Sequence, residues 1–201
     1  MKNNLKEKRK NEIMEISSNL FYSKGISETT ILEITHLANI GKGTFYEYFK
    51  NKDDVINEYI KTYFYNAHLQ INKRIDNYKT NKEKILFIVR YFFKSKENDE
   101  KFTYILVEFL RLTFNKKNEE LKKFYQFNEQ ILNLINQYLE EGIKIKEFKN
   151  CNTQEISLEI ISSILGNLVI SLSHQFKSCD HSTKCNIETI LNSIKYVENE
   201  K

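Results

Sequence analysis

An all-α protein is what this sequence predicts, and three observations carry that expectation. The 201 residues include no proline and five glycines, so the two strongest helix breakers are missing from almost every segment. Past residue 55 the chain offers only helical apolar patterns between short polar breaks, with no repeat, low-complexity tract or long linker. Hydrophobic residues at 40% and charged residues at 29% match ordinary globular chains, and 24.1 kDa suits one generous domain or two small ones. No apolar run approaches the roughly eighteen residues of a membrane span. The basic N-terminus lacks a signal peptide's apolar stretch, so the expected compartment is the cytoplasm, where Cys151, Cys179 and Cys185 stay reduced.

Gly25, Gly41 and Gly43 cluster near the N-terminus, and the positive charge is concentrated there too. Residues 1–52 hold nine Lys or Arg against six Asp or Glu, whereas residues 53–201 hold 22 against 21. This divides the chain into an N-terminal domain over 1–52 and a second over 53–201. From Leu5 to Lys24, Ile13, Ile16, Leu20 and Phe21 recur at helical spacing, and Gly25 follows as a left-handed stop. Thr30-x-x-Glu33 has the form of a capping box, which starts a second helix from about Ile31 to Ala38 with Ile31, Ile34 and Ala38 buried. Asn39, the non-glycine type best able to adopt positive φ, begins the turn Asn39-Ile40-Gly41. A third helix covers Lys42 to Phe49, and a fourth opens near Asn51-Lys52-Asp53-Asp54, where acidic residues suit the helix dipole.

Two short helices joined by such a turn predict a helix-turn-helix, whose second helix enters the major groove. At 100° per residue, Phe45 and Phe49 share one side of that helix, Gly43, Thr44 and Glu47 lie opposite, and Tyr46 and Tyr48 flank them. The stretch FYSKGISETTILEITHLANIGKGTFYEYFKNKDDV, Phe21 to Val55, resembles the DNA-binding domain of the TetR family of bacterial transcriptional regulators. Thr-Thr-x-x-x-Ile, Lys-Gly-Thr-Phe-Tyr-x-Tyr-Phe and the following Asn-Lys occur in the family's order and spacing. Where the family usually has Ala, Gly and Ser, this chain has Thr35, Asn39 and Gly41, and the last change removes a side-chain helix cap that customarily also meets a phosphate. The backbone amides of that helix start stay available to a phosphate.

A recognition helix docked in this way has Lys42 and Thr44 at base edges, beside Gly43, with the lysine donating to guanine and the threonine methyl touching thymine. Thr30, Tyr46, Tyr48 and Lys52 would hold phosphates. Glu47 either accepts from cytosine or stays solvated.

Further helices are expected over 52–77, 82–96, 100–115, 118–141, 153–177 and 183–198, with breaks at Thr80-Asn81, Asn98-Asp99, Lys116 to Asn118, Gly142 to Asn152 and Ser178 to Thr183. The total of nine is the number found in the family that the chain resembles. That resemblance implies a C-terminal part that dimerises and binds a small effector. Most of its aromatic residues serve as core. An effector pocket also needs polar groups, so its candidates are Tyr63, Arg90, Tyr91, Tyr104, Glu108, Arg111 and His174, the effector being apolar or aromatic. Glu108 and Arg111, three apart, could equally pair with each other.

Ile156, Ile160, Ile164, Leu168 and Leu172 form one row at intervals of four, and Ile161, Leu165 and Val169 a parallel one, a face wider than one neighbouring helix covers. With Ser162 and Gly166 allowing close approach, and Ile187, Ile190, Leu191 and Ile194 as a matching stripe, this predicts a homodimer closed by an intermolecular four-helix bundle. No P-loop, GxGxxG, GxSxG or HExxH motif occurs, so an enzyme is not expected, and no cofactor either. Cys179-Asp180-His181 with Cys185 has metal-ligand residue types but no standard spacing, so no metal is assigned. The sequence thus points to a repressor that binds a palindromic double-stranded operator as a dimer and is released by an effector. An activator, a regulator triggered by another protein and a helical adaptor that no longer binds DNA are the alternatives.

Overall fold

The computed structural model describes residues 2–91, 96–114, 119–171 and 179–197. Among them lie nine α-helices: α1 Lys2–Lys24, α2 Ile31–Leu37, α3 Lys42–Tyr48, α4 Lys52–Arg74, α5 Asn81–Tyr91, α6 Lys96–Phe114, α7 Glu119–Lys144, α8 Thr153–Ser171 and α9 Cys179–Ser193. A 3₁₀ turn, Ile75–Asn77, ends α4. No strand occurs among the described residues, and the one isolated bridge pairs Phe148 with Lys195. The all-α expectation therefore holds. No described helix is long and apolar enough to cross a membrane.

The chain packs as two compact units, residues 1–63 with 101–121 and residues 64–100 with 122–201. In the first, α1 buries Ile13, Met14 and Phe21 together with Ser17 and Ser18. Those serines bring no unpaired hydroxyl inside, because Ser17 Oγ donates to the Ile13 carbonyl at 2.7 Å and Ser18 Oγ to that of Glu15 at 2.8 Å. Ile16 and Leu20, which recur at helical spacing with Ile13 and Phe21, are half-buried. Gly25, at φ 93°, supplies the expected left-handed stop, and its amide donates to the Phe21 carbonyl at 2.9 Å.

In the second unit α9 packs against both α5 and α8. The start of α5 has a local capping box, Glu83 N donating to Thr80 Oγ1 and Thr80 N to Glu83 Oε2, each at 3.1 Å, and a second cap from far along the chain. The Glu147 carboxylate accepts from the amides of Asn81 and Lys82, each at 2.9 Å, and from Asn81 Nδ2 at 3.1 Å. The backbone of the same segment pairs with the C-terminal end, Lys149 N donating to Ile194 O at 2.7 Å and Tyr196 N to Glu147 O at 3.0 Å. Inside lie Ile85, Ile88 and Val89 of α5 and Ile135 and Leu139 of α7. Tyr138 is also buried beneath the Lys84 ammonium, 4.9 Å from its ring centre. Burial, then the charges of Glu141 and Asp76, push its phenol above the ordinary range.

Several expected breaks fall elsewhere. Asn98 and Asp99 lie within α6, and Cys179 to Thr183 form the first turn of α9. Gly142 does not open the loop after α7. It is helical, and the left-handed residue at the helix end is Lys146, at φ 61°. Gly142 serves close approach, since a Cβ there would sit 2.3 Å from Cδ2 of Phe148, whose ring is 2% exposed. Alanine ordinarily improves a helix over glycine by about 1 kcal/mol, but overpacking costs about 1–3 kcal/mol. Gly142→Ala should therefore lower stability in urea denaturation, and pairing it with Phe148→Leu should recover part of the loss. A Gly142→Ala single variant more stable than the parent would show that the ring yields freely.

Candidate nucleic-acid interface

The start of α2 carries the complete capping box that Thr30 and Glu33 predict. Glu33 N donates to Thr30 Oγ1 at 3.2 Å, and Thr30 N and Oγ1 both donate to Glu33 Oε2 at 2.9 Å. The other carboxylate oxygen pairs with Lys24 at the end of α1, fixing the two helix ends to each other. The Lys24 ammonium first, then the amide and hydroxyl of Thr30, hold the Glu33 carboxyl down to about 2, from an ordinary 4.5. Ile34 and Ala38 are buried as expected, and Ile31 is half-buried. Thr35, 3% exposed, directs its hydroxyl to the Leu32 carbonyl at 2.9 Å, within its own helix.

Asn39 makes the turn at φ 51°, and Gly41 begins α3 with no side-chain cap. Phe45 is fully buried and Phe49 is 2% exposed, their ring centres 5.9 Å apart, with the Lys10 ammonium 6.0 Å from the Phe49 ring. Lys42, Gly43, Tyr46 and Glu47 are exposed, while Thr44 and Tyr48 are half-buried. The division of α3 into an anchored face and an outward one thus matches the sequence reading.

Two of the groups expected at phosphates are already engaged. The Thr30 hydroxyl is committed to the capping box, and Lys52 Nζ donates to the carbonyls of Ile26 at 2.6 Å and Thr29 at 2.7 Å. Lys52 therefore clamps the α1–α2 connection, which Thr29 closes from within by donating its hydroxyl to Gly25 O at 2.8 Å. No local signal in the sequence reveals this, because the lysine is 23 and 26 residues from its acceptors. Asn51 and Asp54 cap α4 reciprocally: Asp54 N donates to Asn51 Oδ1 at 2.9 Å, and Lys50 N to Asp54 Oδ2 at 3.0 Å.

The effector candidates are not brought into one group. Tyr63, Tyr104 and Glu108 belong to the first unit, where Tyr63 stacks on Phe102 at 3.5 Å between ring centres and Tyr104 meets Tyr22 edge-on at 6.0 Å. Arg90, exposed, and Tyr91, half-buried, belong to the second. The side chain of Arg111 and all of His174 lie outside the described residues, as do the side chains of Cys179 and His181, whereas Cys185 is exposed.

Most of the side chains expected to close a dimer are instead buried within the single chain. Ile160, Ile164, Ile187, Ile190, Leu191 and Ile194 are at most 9% exposed, because the face of α8 that carries the first two packs on α9. Gly166 is exposed, with nothing within 4 Å of an added Cβ, and the Leu168 side chain is outside the described residues.

Residues 13–59 match the profile of bacterial regulatory proteins of the tetR family, a span that contains the whole helix-turn-helix. The N-terminal segment is thus similar to the DNA-binding domain of the TetR family. The chain is 26% identical to the HTH-type transcriptional regulator YhgD of Bacillus subtilis over 178 residues, 87% of this chain and 90% of that one. With the fatty acid metabolism regulator protein of B. subtilis it shares 25% over 148 residues, 72% of this chain and 74% of that one. The crystal structure of FadR from B. subtilis in complex with stearoyl-CoA has a similar fold. It superposes with a TM-score of 0.78 at 21% identity, covering 91% of this chain and 98% of that one. The relatives that the chain matches are transcriptional regulators, and the matched segment contains a helix-turn-helix.

The Glu33 geometry fixes a pH response. A carboxyl held below its unfolded value stabilises the fold fully above about pH 4.5, and that contribution is lost as the pH falls toward about 2. Thermal denaturation followed by circular dichroism should show Glu33→Gln closing much of its stability gap to the parent across this acid window. A gap that stays constant from pH 7 to pH 2.5 would contradict the assignment.

Proposed function

We propose that this chain is a transcriptional repressor that binds a palindromic operator as a homodimer and leaves it on binding an effector with a long apolar chain, of the acyl-thioester class. The observation that supports DNA reading is the outward face of α3, with Lys42, Gly43, Tyr46 and Glu47 exposed above the buried Phe45 and Phe49. Lys42 and Thr44 face base edges, and Tyr46 and Tyr48 flank them at phosphates. Glu47 beside them selects or repels bases. Thr30 and Lys52 act chiefly by holding α2 and its approach in place. On this reading residues 1–52 are the reading head, residues 53–201 carry effector binding and dimerisation, and the regulator works in the cytoplasm where the operator lies.

The effector class is supported by relatives: one is a fatty acid metabolism regulator, and a protein of similar fold holds stearoyl-CoA. Arg90 and Tyr91 of α5 are the candidate polar contacts left in the second unit. For the dimer, α8 keeps a second apolar face outside the chain, with Leu158 57% and Val169 46% exposed and Ser162 and Gly166 exposed between them. Face-to-face packing of two copies there would bury it, and the small residues would permit close approach.

Operator DNA selected from random sequence provides the test. Lys42→Ala should cost about 1–3 kcal/mol and relax preference at one base pair. Lys52→Met should weaken all sequences alike and also destabilise the free protein by about 1–3 kcal/mol, since two buried carbonyls lose their donor. Uniform weakening by Lys42→Ala would refute its base-reading role. Stearoyl-CoA should release the bound DNA, and failure of long-chain acyl-CoAs to do so would remove the effector class while leaving DNA reading intact. Val169→Arg should sediment as a folded monomer; an undisturbed dimer would place the interface elsewhere.

A further inference from the structure

The positive charge of the reading head comes from one end of α1. Residues 1–10 hold five Lys or Arg and one Glu, a net +4, whereas residues 11–52 hold four Lys and five Glu, a net −1. Of those four lysines, Lys24 is paired with Glu33, and Lys52 is committed to two backbone carbonyls. Lys42 and Lys50 are what remains for a partner outside the chain. Duplex DNA carries one negative charge per about 1.7 Å of its axis, and two lysines neutralise little of it.

Helical spacing puts part of the basic end on a definite side. Lys6, Lys10, Met14, Ser17 and Phe21 recur at intervals of four and three, so they form one stripe along α1. Met14, Ser17 and Phe21 are buried, Lys10 is half-buried and Lys6 is exposed. The side of α1 that packs inward therefore turns basic where the helix leaves the body of the head. Lys10 marks that point: its ammonium pairs with Glu58 of α4 at 2.8 Å and lies 6.0 Å from the ring centre of Phe49, the residue that ends α3. Residues 2–9 carry the helix about 12 Å further. Arg9 is tied to Glu12 at 2.8 Å, and Lys8, two positions from Lys6, points away from the stripe. Lys6 makes no ion pair among the described residues. Helix energetics do not call for cations here, because the dipole favours anions at this end and α1 has no acidic residue in its first turn.

We propose that the basic end of α1 is a second DNA-binding element, in which Lys6 holds a backbone phosphate beside the segment read by α3 while Lys8 adds only long-range charge. Two observations select duplex DNA as the occupant: the shortage of positive charge in the rest of the head, and the attachment of the stripe to the end of α3. A phosphate contact carries no base information, so this element sets affinity and salt dependence and leaves sequence preference to α3.

The inference rests on the reading of α3 as a recognition helix, so one part of the test needs no operator. On a selected operator, Lys6→Gln should weaken binding to all single-base variants alike and reduce the slope of log affinity against log salt by about 0.9 per reading head, about 1.8 in a dimer. Lys8→Gln makes the same change of charge two residues away and should alter the slope by less than about a third as much. Both side chains are exposed, so both variants should melt at the parent's temperature. An unchanged slope in Lys6→Gln, equal losses in the two variants, or an altered base preference would overturn the inference. If no sequence is selected, the reading of α3 fails on its own, and a duplex of arbitrary sequence at low salt decides. Parent binding that weakens about threefold or more in Lys6→Gln, and much less in Lys8→Gln, supports the element. Equal binding by the three proteins, or none by the parent, overturns it. Lys6-dependent binding to phosphatidylglycerol vesicles without binding to duplex DNA would assign the stripe to a lipid surface and overturn it equally.

Discussion

A helix of seven residues is too short to persist in water, because its nucleation cost is spread over too few hydrogen bonds. The recognition helix α3 is of that length and also starts without a side-chain cap. Its existence therefore depends on Phe45 and Phe49, which contribute the largest apolar burial available to so short a segment. Everything around them serves that burial. Asn39 bends the chain so that the rings enter beneath α2, and the capping box orders α2 before the turn. Lys52 then clamps the connection that brings α1 to α2. Once both rings point inward, helical periodicity alone dictates that Gly43 and Glu47 point out.

Features encoded within a few residues were legible in the sequence. Thr30 and Glu33, three apart, make the expected capping box, and Asn39 and Gly25 adopt the positive φ expected of them. Where one residue type serves two physical purposes, the reading failed. Gly142 reads as a turn glycine in sequence but is needed for close approach of Phe148, and Lys146 carries the turn instead. Asn98 and Asp99 looked like a break, yet polar residues also occupy the solvated face of a helix, and they lie within α6. Ser17 and Ser18 hid part of the buried face of α1, since a hydroxyl bonded to its own helix is polar in sequence and nearly apolar in effect.

Long-range polar contacts left no sequence signal at all. Lys101 is 86 residues from Glu15, Lys52 is 26 from Ile26, and Glu147 is 66 from Asn81. Lys101 is buried and Lys52 and Glu147 are half-buried, each bonded to specific partners, and each is chemically indistinguishable in sequence from a surface lysine or glutamate. They share a physical logic. Apolar packing holds helices together but discriminates weakly between neighbouring registers, whereas a charge with two or three directed hydrogen bonds loses heavily when the register shifts. Such contacts stand where exact position matters: at the approach to α2, at the start of α5 and between α1 and α6.

The two apolar faces of α8 show the same limit in another form. A helix apolar over much of its circumference must be covered on more than one side, and the sequence made that plain. It could not assign the sides, because isoleucine and leucine rows at intervals of four suit an intramolecular neighbour as well as a second copy. Packing against α9 assigns one of the sides. That contact takes the row with Ile160 and Ile164, and what remains is a strip in which Leu158 and Val169 bracket Ser162 and Gly166. Ile170, 47% exposed, lies on the outward side as well, and Ser157 is buried on the inner one. The inner face thus fills the core with Ile160, Ile161 and Ile164, and on the proposed dimer reading the outer strip, with Ser162 and Gly166 between Leu158 and Val169, is where a second copy would approach.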